Sequence, residues 1–156
     1  MNVDAKDFKD AMSRFASGVT VVTVEQGGAV HGITVSAFIS VSVAPPLILV
    51  SIDKRPGFHE VIDGAGRFAV SVLAAGQMDV SNYYAGWRQP GQTVDLSRTE
   101  LGAFVVPDAL AWIECSLFNA VEAGDHTLFL GRVEALTIRD GEPLIYFRSR
   151  YRTLLE

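Results

Sequence analysis

The sequence predicts a mainly β protein of the α+β class, an antiparallel barrel that is closed or nearly closed, with helices at its periphery. Three observations carry this. Two long segments of the last third, 109–124 and 126–140, are joined by the turn pair Gly124-Asp125, and the first alternates over much of its length. A β-branched run, VTVVTVE (19–25), is followed by Gly27-Gly28, which supplies the positive φ angles of a tight hairpin. Helical spacing is confined to three short stretches.

Taken in order, Phe8, Ala11, Met12 and Phe15 repeat at helical spacing, which predicts an amphipathic helix over 4–17 with Asp4 as N-cap and Gly18 as its stop. The strand at 19–25 pairs through the glycine turn with one that begins near Ala29 and runs through Thr34 or Ser36. LILVSID (47–53) is the third strand, apolar enough for burial on both faces. KRPGFHEVIDGAG (54–66) carries Pro56 near a helix start and Phe58, Val61 and Ile62 on one face, a short helix. RFAVSVL (67–73) is a strand and GQMDVSNYYAGW (76–87) a helix closed by Gly86. Residues 88–108 are rich in turn formers and read as a surface excursion that could cap a pocket. In 109–124, Trp112, Glu114, Ser116 and Phe118 share one face and Ile113, Cys115 and Leu117 the other. Asp140-Gly141 turns the chain into EPLIYFRSRY (142–151).

A chain of 156 residues with 49% hydrophobic and 20% charged side chains is expected to form one ordered domain over 1–156. Its net charge of −5 and lack of any basic run argue against a nucleic-acid partner. The single Cys115 lies in an apolar strand segment, where it reads as a small buried core residue. No window approaches a membrane span, and MNVDAKDFKD has no apolar leader core, so the expected location is the cytoplasm. There is no G-x-G-x-x-G, Walker loop or G-x-S-x-G. His31, His59 and His126 lie far apart, so no metal site is expected. If the chain is an enzyme, its hard chemistry belongs to a bound cofactor.

The stretch from His31 to Asp53 points to such a cofactor. It carries Thr34, Ser36, Ser40 and Ser42, breaks at Pro45-Pro46, and continues through an apolar run to Ser51 and Asp53. So many hydroxyls among Val, Ile, Leu and Phe suit the wall of a cavity for a flat ligand with polar edges. Thr34, Ser36, Ser51 and the backbone of Val35 and Ala37 supply donors and acceptors beside apolar groups such as Phe38. Lys54 and Arg55 place two cations before the Pro56 helix, where an anion is already favoured, though a solvated basic turn would look the same.

Six segments together, RFASGVTVVT (14–23), HGITVSAF (31–38), SVSVAPPLILVSID (40–53), RFAVSVLAAGQ (67–77), GDHTLFLGRV (124–133) and EPLIYFRSRY (142–151), resemble the flavin reductase-like family, small reductase components of two-component flavin-dependent monooxygenases. Among these the reductases of 4-hydroxyphenylacetate-type hydroxylases are most similar. The resemblance implies an FMN-binding split β-barrel, a homodimer, FMN or FAD as flavin, NADH or NADPH as hydride donor, and a separate oxygenase that receives reduced flavin. It also implies that Thr34, Val35, Ser36, Ala37 and Phe38 meet the isoalloxazine, and that Ser51, Ile52, Asp53 and Lys54 run toward the ribityl and phosphate. Phe58 and the segment 82–87, with Tyr84, could wall the flavin tail or serve as surface or dimer-packing aromatics. His126 matches the family's GDH histidine beside the nicotinamide; read from the residues alone, the alternative is a turn histidine bonded to Asp125 or the backbone. Arg150 and Tyr151 could meet the nicotinamide nucleotide or close the C-terminus against the barrel. A carrier that binds flavin without reducing it, or a reductase of a corrin or ferric chelate, would use the same residues.

Overall fold

In the computed structural model, which describes residues 2–154, Asp4 caps the first helix by accepting the Lys6 amide at 2.6 Å. Helix α1 spans Ala5–Met12 and stops before the expected Ser17. Its end tightens into i→i−3 bonds from Arg14 to Ala11 and from Phe15 to Met12, and the Ser13 carbonyl is taken by the Arg148 amide at 2.9 Å. No residue of α1 is buried. The chain then forms β1 (Ser17–Gly18), β2 (Thr20–Gln26), β3 (Ala29–Val35), β4 (Phe38–Val43) and β5 (Pro46–Asp53). Helix α2 (Phe58–Ala65), β6 (Arg67–Val72) and α3 (Met78–Tyr84) follow. The excursion holds β7 (Ser97–Arg98) and β8 (Phe104–Val105); the long strands are β9 (Ala111–Ala123) and β10 (His126–Ile138), and β11 (Ile145–Phe147) and β12 (Arg150–Arg152) finish the chain.

Seven strands pair antiparallel in the order β3-β2-β6-β9-β10-β5-β4. The two edges, β3 and β4, are consecutive in sequence and joined only by Ser36 and Ala37, yet they share no ladder. The barrel is therefore split along that seam, which realises the expected antiparallel split barrel with peripheral helices. Strand β4 itself was not expected: the hydroxyl-rich stretch turns at Ser36-Ala37 and returns as an edge strand, with the Ser51 amide bonded to the Ala37 carbonyl at 3.0 Å.

Register decides which side chains face the core, because paired residues share a face. The row Ile33–Val22–Val70–Ile113 and the row Phe38–Val50–Phe129 point inward. Cys115 lies in this interior at 3% exposure, as expected. Helix α2 plugs one end with Phe58 and Ile62, each worth roughly 1.5–3 kcal/mol of burial. The row Thr34–Val21–Ser71–Trp112 points outward into a second apolar cluster that includes Val19, Leu73, Val106 and Leu144. Helix α3 and the excursion pack there. The Thr23 hydroxyl donates to the Phe104 carbonyl, the Val106 amide donates to Ser71 Oγ at 3.0 Å, and Trp112 Nε1 donates to the Val106 carbonyl at 2.7 Å.

The segment 142–151 differs from the expected continuation of the hairpin series. Arg148 and Ser149 take positive φ values of 51° and 60°, folding β11 onto β12, and β11 pairs with β1 instead of the large sheet.

Candidate functional site

Strand β3 and helix α3 build the site between them. Gly32 and Thr34 fall on the outward face of β3, and Ser81 and Tyr84, three apart on α3, meet them. Thr34 Oγ1 donates to the Ser81 carbonyl at 2.6 Å. Tyr151 donates to Asn82 Oδ1 at 2.9 Å and lies 2.8 Å from the Ser81 hydroxyl, so β12 holds the other side of α3. Burial pushes the Tyr84 phenol above its ordinary pKa and keeps it neutral.

Two cavities flank this contact. One, of about 560 Å³, is lined by Val19, Thr34, Ser36, Ser81, Asn82, Trp87 and Tyr151 among others. The second, of about 1050 Å³, runs along Gly32, Thr34, Asp53, Phe58, Tyr84 and Arg88. Thr34 and Ala85 line both, so the two are adjacent compartments of the groove between β3 and α3.

The groove brings together Thr34, Ser36, Asp53, Phe58, Tyr84 and Tyr151 of the residues singled out in the sequence. Val35, Phe38 and Ile52 pack into the barrel core, leaving only backbone groups for any ligand. Ala37 is exposed at the corner between β3 and β4, and Ser51 is half-buried beside it. Lys54 turns away, its ammonium 2.9 Å from Glu122 Oε2 and 3.2 Å from the Gly124 carbonyl. Arg55 closes back on Asp53 with its amide and guanidinium, Nε lying 2.9 Å from Oδ2. Those hydrogen bonds hold the Asp53 carboxyl well below the usual carboxylate range.

His126 lines neither compartment. It opens β10 as the register partner of Asp53, with Nδ1 2.7 Å from Asp125 Oδ1. The hydrogen bond to His126 also lowers the Asp125 pKa. Arg150 is exposed on β12. Among the described residues no group of three or more His, Cys, Asp or Glu side chains could hold a metal ion.

Sequence reasoning missed Gly32, Ser81 and Arg88 as lining residues. A signal for Ser81 was present, since it precedes Tyr84 by one helical turn; nothing in the sequence announced that Gly32 would face that ring.

The Flavin reductase like domain model matches residues 12–155. The reductase component of 4-hydroxyphenylacetate 3-monooxygenase from Thermus thermophilus is 40% identical over 149 residues, 95% of each chain. The structure of flavin reductase PheA2 in its native state superimposes with a TM-score of 0.95 at 42% identity, covering 99% of this chain and 100% of that one. The Streptomyces globisporus C-1027 NADH:FAD oxidoreductase SgcE6, in complex with NAD and FAD fragments, gives a TM-score of 0.90 at 35% identity, covering 99% and 97%.

Proposed function

We propose that this chain, which belongs to the flavin reductase like domain family, is an NAD(P)H:flavin oxidoreductase supplying reduced FMN or FAD to a separate monooxygenase. The observation that carries the reading is the pair of adjacent compartments that share Thr34 and Ala85, one to take a ring and the other a phosphorylated tail. Its chemistry fits that ligand: Phe58, Val61 and Tyr84 offer apolar walls, while Thr34, Ser36 and the Asn82 amide offer hydrogen-bonding groups. When bound, flavin supplies a hydride acceptor at N5 for the nicotinamide C4.

The residues of the chain have the tasks of binding and orientation. Thr34 is anchored to α3 by its donated bond, so its remaining lone pairs are held in place for a ring edge. Tyr84 covers bare backbone at Gly32 and keeps water from that wall. Holding two rings at contact distance can contribute about 7–11 kcal/mol of the barrier without any protein nucleophile, consistent with the missing catalytic motifs. His126, fixed through Nδ1 by Asp125, has Nε2 left to position the nicotinamide beside Asp53. Ser51, Ala37 and the backbone of Val35, Phe38 and Ile52 extend the cofactor-binding set, with Tyr151 bracing the ring end.

A homodimer and a cytoplasmic location belong to the same proposal. Phe8 and Met12 on α1, Phe15 just after it, and Ile39, Val41 and Val43 on edge strand β4, leave more apolar surface exposed than scattered single residues explain. Among the described residues no helix is long and apolar enough to cross a membrane. Sedimentation that gives a monomer at micromolar concentration would remove the dimer.

The direct test is steady-state NADH and NADPH oxidation with FMN, FAD or riboflavin added. Flavin-dependent turnover with at least one pair is expected, and its absence with every pair rejects the enzyme.

A further inference from the structure

We infer that Arg88 is the cation that receives the phosphate of the flavin nucleotide, an inference that rests on the flavin reading above. Charge in the larger compartment is the starting point. Its carboxylate, Asp53, would repel an entering phosphate if left bare, and Arg55 neutralises it through both its amide and its guanidinium. Arg55 is thereby committed. Lys54 is committed as well, to Glu122 and the Gly124 carbonyl, and neither cation lines the compartment.

Arg88 lines it and has no carboxylate within salt-bridge distance among the described residues. Its position is held by the end of α3. The Trp87 amide donates to the Asn82 carbonyl at 2.9 Å, and Gly86 takes a φ of 95°, a turn suited to glycine. The guanidinium carbon then lies 4.4 Å from the Tyr83 ring centroid, and Nε reaches toward the Tyr83 carbonyl at 3.4 Å. Both terminal nitrogens remain available, and a guanidinium fork resting on an aromatic face matches a phosphate bidentately at little further entropic cost. Pro56 and Gly57 line the same compartment and lead into α2, whose N-cap Gly57 supplies no side-chain cap, so the positive end of that helix adds to the same field. Asp53 and Arg55 thus form a masked pair, and Arg88 is the free charge that distinguishes a phosphorylated flavin from an unphosphorylated one.

Riboflavin and FMN differ by that phosphate alone. Equilibrium titration of the full chain by flavin fluorescence, with wild type, Arg88→Ala and Arg88→Lys, separates the possibilities. The expected result is that Arg88→Ala raises the FMN Kd at least about tenfold and leaves riboflavin within about twofold, and that Arg88→Lys recovers part of the loss. FMN affinity unchanged in Arg88→Ala, or equal weakening of both flavins, overturns the assignment while leaving the flavin reading intact. A raised KM for NADH with FMN affinity preserved assigns Arg88 to the nicotinamide phosphates and overturns it equally. Wild-type protein that binds neither flavin rejects the underlying function and the assignment together.

Discussion

A Cβ placed on Gly32 would stand 2.4 Å from Tyr84 Cε1, so the tyrosine ring of α3 rests directly on the bare backbone of β3. That contact fixes where α3 sits on the barrel and hence the shape of both compartments. In Gly32→Ala the ring must move, because side-chain carbons do not approach that closely. The expected cost is about 1–3 kcal/mol of stability together with weaker flavin binding, read by urea denaturation and flavin titration. Unchanged flavin affinity would detach the Gly32 contact from the site.

Much of the barrel was legible in the sequence because its strands obey local rules. The β-branched run at 19–25, the Gly27-Gly28 turn and the alternation around Cys115 each became what their pattern implied. Strand β4 was missed although Ile39, Val41 and Val43 alternate with Ser40 and Ser42, because the apolar members are the exposed ones and a register shift between Ser40 and Ser42 breaks the facing pattern. The β11–β12 turn was hidden because Arg148 and Ser149 adopt positive φ without the glycine or asparagine that usually signals it. At the site, residue types were readable but their pairing was not: Lys54 meets Glu122, 68 positions away, which only the register of β9, β10 and β5 brings about.

Cys115 gives a prediction with a pH sign. Burial, then the nearby Glu134 and Glu114 carboxylates, push its thiol up to about 12, against about 8.5 in an unfolded chain. Because the folded value is the higher one, its contribution to stability is complete below about pH 8.5 and is lost as the pH rises from there toward 12. Native protein at pH 8 should resist thiol reagents and label fully once unfolded. Rapid stoichiometric labelling of the native form would contradict the buried placement, and Cys115→Ala should remove this part of the alkaline stability loss.

His126→Ala is expected to raise the KM for NADH several-fold with flavin affinity unchanged, because His126 lies beside Asp53 on the outward face and lines neither compartment. Steady-state kinetics with FMN saturating, paired with a flavin titration, checks both halves. An unchanged KM would remove His126 from the nicotinamide side.

The groove whose compartments share Thr34 and Ala85 is expected to hold flavin where a nicotinamide can reach it. Anaerobic mixing of NADH with protein and FMN, in the absence of any oxygenase, tests it most directly. Oxidised-flavin absorbance and NADH absorbance are expected to disappear together, one for one, at a rate far above that of the two nucleotides without protein. Protein that binds FMN while the flavin stays oxidised in the presence of NADH and of NADPH would contradict it and leave a carrier in its place.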